Sequence, residues 1–314
     1  VFYDEGGDEK ETAGFDAVVG NPPYVSVTNI PSEHRSYLLD RYETAKGRFD
    51  IYISFVEKSL SITKESGRFS MVIPIKWAIY GNGKNLRDML LDEMILSELI
   101  NISQSDVFPD PTTYPCIPIV SKSEPSPDDF VTVYNVPPET PEEIIGDISQ
   151  YSTIIPIKRF DEVPQRIICP FLDDTRWGIY NKLHQGGVEL QKTHKIEQAI
   201  RMGSKEARKK LLTRNPPEED MDEFHPVVDG NNIEQYMIDW DGRYLHYQPE
   251  ELYNPKTKEM LDSKKVLIKR IANNLTVAYD DGSTQGKFAY PLNTVYMLLA
   301  SAELEQKPQY HTAL

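Results

Sequence analysis

The polar, acidic run over residues 1–14 gives way to FDAVV, a short apolar stretch ended by Gly20 and two prolines. β-Branched residues bounded by Gly and Pro predict a buried strand over Phe15–Val19, then a stiff turn. The spacing next shifts to the helical period. Pro31 and Ser32 open a helix through Tyr42, with Tyr37, Leu38 and Tyr42 facing inward. A second helix is predicted over Ile51–Lys64, with Asp50 as cap, Ile51, Phe55, Val56 and Leu60 on one face, and Gly67 as stop. Strand, helix and strand follow over Arg68–Ile75, Leu86–Met94 and Ile95–Ile102. The alternating residues of Val107–Lys122 suit a strand of a terminal hairpin, and Phe130–Asn135 is one short strand more. This rhythm predicts an α/β fold with an open sheet, whose ligands bind at the carboxyl ends of the strands, where the Gly20 turn lies.

From Ser123 to about Ile167 the chain is rich in Pro, Glu and Asp. We read residues 1–135 as one domain, 136–168 as a linker and 169–314 as a second, α+β domain. There Asp173–His184 reads as a helix stopped by Gly186-Gly187, and Val266–Tyr279 as a hairpin.

Composition sharpens this little. The 314 residues carry a formal net charge of −15, which excludes a uniformly basic nucleic-acid protein but not a basic cleft on an acidic body. Against that background Lys205, Arg208 and Lys209 cluster in KEARKKLLTR, and Lys269 and Arg270 sit on the hairpin. These five are candidate contacts to phosphate or base edges. Cys116 and Cys169 lack metal spacing and read as reduced core thiols in a cytoplasmic protein. His225, His246 and His311 are scattered, so no metal is expected. No run of 18 apolar residues suggests a membrane span.

The chemistry lies in Asn21-Pro22-Pro23-Tyr24. Asn21 offers a side-chain carbonyl, Pro22 a backbone carbonyl, and Tyr24 an aromatic face, all held by two fixed φ angles. Two neutral acceptors can hold both hydrogens of an exocyclic amino group and free its lone pair for attack on a methyl group. The ring can stack on a base taken out of its duplex. A second Asn215-Pro216-Pro217 is followed by Glu218 in a polar run and reads as a loop.

FDAVVGNPPY closely resembles motif IV of the N6-adenine DNA methyltransferases, where NPPY follows the fourth strand of the S-adenosylmethionine-binding sheet. FDIYISFVEKSL and GRFSMVIPIKW resemble the helix and strand that follow in the γ-order members. In that family the Phe of a VFP turn packs on the target adenine, which implies this role for Phe108. FHPVVDGNNIEQYMIDWDGRYLHY and KKVLIKRIANNLTVAYDDG resemble the C-terminal target-recognition region of Taq- and Eco-type restriction–modification methylases, although the upstream IRMG carries Met202 where the family has Thr.

The resemblance implies the C-terminal half of a Rossmann-like class I methyltransferase sheet followed by a recognition domain. It implies S-adenosylmethionine as methyl donor, double-stranded DNA as partner, and a possible nuclease domain or subunit. Asn21 and Pro22 would hold the amino group, Tyr24 and Phe108 would sandwich the adenine, and Pro23 would lie near the cofactor. Two other readings of NPPY are a protein glutamine methyltransferase and a DNA-specificity module without catalysis. The family's glycine-rich cofactor turn is missing, since the sole GxG, Gly81-Asn82-Gly83, opens a helix. The chain also starts at Val1, so we expect the cofactor loop upstream of it and no methylation by residues 1–314 alone.

Overall fold

The first strand, β1 (Phe15–Gly20), forms as the sequence predicts but is an edge, not a buried strand. It pairs in parallel with β2 (Thr63–Met71) on one side and has no second partner among the described residues. Val19 is accordingly 78% exposed. A β-branched run reports that a residue suits a pleated surface, not that both faces are covered. The computed structural model describes residues 2, 13–104, 114–138, 147–272 and 274–300. They fall into two units, Val1–Gln185 and Gly186–Leu314.

The first unit is built on a seven-stranded sheet. Its remaining strands are β3 (Ile73–Pro74), β4 (Ile95–Asn101), β5 (Pro115–Ser121), β6 (Phe130–Asn135) and β7 (Ser152–Pro156). The order is β1-β2-β5-β4-β6-β7, with β3 on β5. The pairs β1–β2 and β4–β6 are parallel, and β5 runs antiparallel to both β2 and β4. The carboxyl ends of β1, β2 and β4 therefore lie along one edge of the sheet.

Helices α1 (Ser32–Arg41), α2 (Tyr52–Ile62), α3 (Lys76–Ile79), α4 (Lys84–Asp92), α5 (Lys158–Asp161) and α6 (Asp174–Gly186) complete the unit. Val56 and Leu60 of α2 and Leu86 and Leu90 of α4 enter one core with Phe69, Leu96, Leu99, Val120 and Val131 of the sheet. On α1 the expected inward set holds only in part. Leu38 and Tyr42 pack against the core, but Tyr37 is 60% exposed.

The ends of α2 differ from the pattern. Ile51 stands at its N-cap without a side-chain bond, because Asp50 is drawn into a backbone bridge with Ser26. Gly67 lies inside β2 and does not stop α2. There β2 bulges between its pairings Phe15↔Thr63 and Ala17↔Arg68, and a Cβ on Gly67 would meet Thr63 Cγ2 at 2.7 Å.

Of the predicted linker over 136–168, the described residues 152–168 pack into the first unit. β7 pairs antiparallel with β6, and Ile155, Ile157, Phe160 and Ile168 are buried in the first core. Arg87, wholly buried, also fastens this stretch. Its guanidinium donates to Trp77 O (2.6 Å), Tyr80 O (2.8 Å) and Gln165 O (2.9 Å). Proline-rich composition signalled breaks in the chain, while the burial comes from long-range pairing that composition does not carry.

Gly81-Asn82-Gly83 forms a 3₁₀ turn into α4. A Cβ on Gly83 would lie 2.1 Å from Trp77 O and 2.5 Å from Trp77 Cα, both backbone. Gly83→Ala is therefore expected to cost about 3 kcal/mol or more through forced backbone shifts. Thermal unfolding followed at Trp77 checks this, and an unchanged midpoint would remove the packing argument.

The second unit opens with α7 (Leu190–Thr193), β8 (His194–Gln198), β9 (Arg201–Met202), α8 (Lys205–Leu211) and β10 (Leu212–Thr213). The strands β11 (Phe224–Val228), β12 (Ile233–Glu234), β13 (Met237–Ile238), β14 (Tyr244–His246) and β15 (Leu252–Asn254) follow, then α9 (Lys258–Leu261). It ends with β16 (Lys265–Lys269), β17 (Val277–Asp280), β18 (Tyr290–Pro291) and β19 (Val295–Ala300). Two four-stranded sheets, β10-β14-β11-β18 and β17-β16-β19-β8, share a core that includes Val227, Leu245, Leu267, Tyr290 and Met297. The hairpin has the expected register, with Val266 opposite Tyr279. Asn215-Pro216-Pro217 is a loop, although the two-residue β10 stands just before it at a sheet edge.

Candidate functional site

The NPPY turn leaves β1 at the carboxyl edge of the first sheet and is fixed at both ends. At its entrance Val72 N donates to Gly20 O at 3.0 Å, across the break between β2 and β3. At its exit Ile51 N donates to Val25 O at 2.8 Å and Val27 N to Phe49 O at 2.9 Å. Within the turn Asn21 and Pro23 are exposed, Pro22 is buried and Tyr24 is half-buried. Among the described residues nothing donates to the Pro22 carbonyl. A buried residue with an open acceptor is uncommon in a folded chain and marks a place where a ligand donor would be welcome.

Tyr24 is oriented by its hydroxyl. Its one proton has two acceptors in reach, Val72 O at 2.8 Å and Asn21 Oδ1 at 3.0 Å. Burial raises the Tyr24 pKa, with the neighbouring Cys116 adding to the effect, so the group stays a donor at neutral pH. Its ring meets that of Tyr52 at 82° and is not stacked on it. Burial likewise pushes the Cys116 thiol up to about 12, which leaves it an inert core group.

Phe108 lies outside the described residues. The residues flanking its segment do lie at the same sheet edge, since Asn101 of β4 and Ile73 of β3 both pair with Cys116 of β5. Two contributors to the site carry no signal in the sequence. Val72 acts through its backbone carbonyl, and Tyr52 looks like any aromatic on a buried helix face.

The Gly81-Asn82-Gly83 turn does not offer a seat for S-adenosylmethionine. The backbone of Trp77 fills the space beside Gly83, and Gly81 faces Gln165. Pro23 is exposed and has no polar group to add beyond its carbonyl.

In the second unit the five candidate cations separate. Arg208 and Lys269 line one cleft of about 330 Å³, together with Asp229, Gly230, Asn231 and Thr294. Lys205 and Lys209 are exposed on α8 and do not line it. Arg270 is not among the residues that line it, and donates to Asn293 O at 3.4 Å with its guanidinium 6.0 Å from the Tyr296 ring centre. The turn of the cleft lies in FHPVVDGNNIEQYMIDWDGRYLHY, the stretch that resembles the target-recognition region, and Asp229-Gly230-Asn231-Asn232 is a capping box in which Asp229 and Asn232 satisfy each other's backbone.

Residues 2–108 match the Eco57I restriction-modification methylase family, and residues 225–314 match the TaqI-like C-terminal specificity domain. Over these two stretches the chain is similar to restriction–modification methylases. It is 36% identical over 112 residues to the type II restriction enzyme and methyltransferase RM.Eco57I of Escherichia coli, over 34% of this chain and 11% of that enzyme. It is 29% identical over 140 residues to the type II methyltransferase M.XhoI of Xanthomonas vasicola, over 44% of this chain and 26% of that one. The solved structure of the type IIL restriction-modification enzyme MmeI, in complex with DNA, shares the fold with a TM-score of 0.56 at 13% identity. That likeness covers 92% of this chain and 41% of MmeI's. This chain thus spans less than half the length of each of these relatives.

Proposed function

We propose that this chain supplies the amino-group side and the DNA-reading unit of a restriction–modification methyltransferase that methylates adenine at N6. The observation that carries the reading is the NPPY turn, held at the carboxyl edge of a mixed α/β sheet with the Asn21 amide exposed and the Pro22 carbonyl open. S-adenosylmethionine is the methyl donor that the similarity to the Eco57I methylase family implies.

The chain's own residues act on the acceptor. Asn21 Oδ1 and Pro22 O accept the two N–H bonds of the adenine amino group, which draws the nitrogen toward a tetrahedral geometry and takes its lone pair out of conjugation with the ring. Tyr24 stacks on the base, which must leave its duplex to reach the turn. Phe108 is proposed for the opposite face. No covalent bond to the protein forms, so the contribution of these residues is positioning and desolvation. Pro23 is proposed to lie toward the methyl donor. Lys205, Arg208, Lys209, Lys269 and Arg270 are proposed contacts to the DNA.

The test is the product made by the whole methylase that carries this chain. Nucleoside mass spectrometry of DNA incubated with it should show N6-methyladenine. Methylated glutamine in protein, or methylated cytosine alone, would overturn the reading. The Tyr24 geometry adds a graded expectation. Tyr24→Phe keeps the stacking face and loses only the hydroxyl bonds, a change of about 1 kcal/mol or up to tenfold in rate. Tyr24→Ala also removes base stacking, worth roughly 1–3 kcal/mol. Single-turnover rates of the two variants should fall in that order, and equal rates would remove Tyr24 as the stacking face.

A further inference from the structure

We propose that the cleft between Arg208 and Lys269 is a phosphodiester seat, where the second unit grips the backbone of a DNA strand without reading its bases. This deepens the DNA-reading role proposed above and rests on it. Three observations carry it.

The first is charge without a partner. In this unit Lys210, Arg214, Arg243, Lys256 and Lys265 each pair with a carboxylate. The side chains of Arg208 and Lys269 form no ion pair or hydrogen bond among the described residues, yet they line the same cleft from α8 and from the end of β16. Two uncompensated cations facing one space, in a chain of net charge −15, call for an anion.

The second concerns the one acid in the cleft. Asp229 does not cancel these cations, because both its oxygens are engaged. Oδ2 accepts from Arg243 Nη2 at 2.9 Å and Oδ1 from Asn231 N at 2.9 Å. Arg243 also donates to Asn232 Oδ1 and to Asp241, so the turn is pinned from behind. Gly230 N donates to Thr294 Oγ1 at 2.8 Å and closes the remaining wall. The cleft is a rigid frame whose unused charge is positive.

The third separates a polymer from a small anion. Lys205 and Lys209, on the helix that carries Arg208, are exposed and also form no ion pair. The positive strip therefore runs on beyond the cleft, which suits consecutive phosphates of one strand better than a single free phosphate. A phosphate contact of this kind fixes register and carries no sequence information itself.

The experiment measures duplex binding by the 314-residue chain, and by its Arg208→Met and Lys269→Met forms, across a salt series. Each variant should weaken binding equally for unrelated duplex sequences. The slope of log K against log salt should become shallower by about 0.9 for the phosphate lost. Lys258→Met, which removes an exposed cation outside the cleft, should leave the slope unchanged. Matching thermal midpoints establish that the variants are folded. A loss confined to one duplex sequence would overturn the proposal in favour of a base edge. Slopes equal to the parent's, or the same change in Lys258→Met, would overturn it outright. Competition by millimolar inorganic phosphate, with no salt-slope difference, would make the cleft a small-anion site and overturn it as well. A parent chain that binds no duplex at low salt would remove the DNA reading of the whole unit, whereas variants that bind like a binding parent would remove the seat alone.

Discussion

Replacing Asn21 by Ala is expected to lower methyl transfer at least about 100-fold in the methylase that carries this chain, with DNA affinity nearly unchanged. The magnitude is that of removing one preorganised polar partner from a reacting group. Pro22 O would remain, but a single acceptor holds one N–H and leaves the other free, so the amino nitrogen stays conjugated with its ring. The structure argues against a trivial loss of fold. Asn21 is exposed, and the Tyr24 hydroxyl that it accepts keeps Val72 O at 2.8 Å. Exposed substitutions of this kind usually change stability by no more than about 0.5 kcal/mol. Single-turnover methylation beside equilibrium DNA binding checks both halves. Equal methylation by variant and parent would remove Asn21 from the chemistry. Parallel loss of methylation and DNA binding would make it a recognition residue instead.

The candidate site can be proposed from the sequence because its chemistry is contiguous. Four successive residues carry both acceptors and the ring, and the strand before them is marked by its own β-branched run. The same locality explains which elements the sequence pattern placed well. Phe130–Asn135 and the Val266–Tyr279 hairpin are bounded by their own turns and appear where expected. What escaped depends on distant partners. The exposure of Val19 reflects the lack of a second neighbour for β1 among the described residues, and Gly67 answers to a bulge opposite Phe15. The stretch over 136–168 has the composition of a linker, yet Arg87 in α4 needs the carbonyl of Gln165, and β6 needs β7. The cleft in the second unit draws its walls from four separate segments, and its meaning lies in which cations lack a partner. No window along the chain displays that.

Lys265 shows the same dependence on tertiary structure, and with it comes the largest expected effect on stability. It reads as one more hairpin lysine, but its side chain is fully buried. Nζ lies 2.7 Å from Asp280 Oδ2, donates to Leu261 O at 2.6 Å and Ser263 O at 3.1 Å, and sits 4.9 Å from the Phe288 ring centre. Asp280 in turn accepts from Ala289 N at 3.0 Å and Gly282 N at 3.2 Å. Burial lowers the lysine pKa and raises that of the aspartate, and each charge opposes the shift of the other. Lys265→Met removes that opposition and leaves a buried carboxylate alone, a cost of about 3–5 kcal/mol. Amide hydrogen exchange across β16 and β17 should speed up roughly 100- to 4,000-fold, which follows from that cost. Adding Asp280→Asn to Lys265→Met should recover part of the loss, since the amide oxygen still accepts a backbone N–H and no charge is buried. The pH dependence has a definite sign. In Lys265→Met the folded-state pKa of Asp280 rises further above the ordinary 3.8. The deficit is then complete above that raised value, narrows as pH falls through it, and vanishes below the ordinary carboxylate value. A deficit that stays constant or widens on acidification, or a double variant no more stable than the single one, would mean that the lost stability came from packing around the lysine stem and not from the stranded charge.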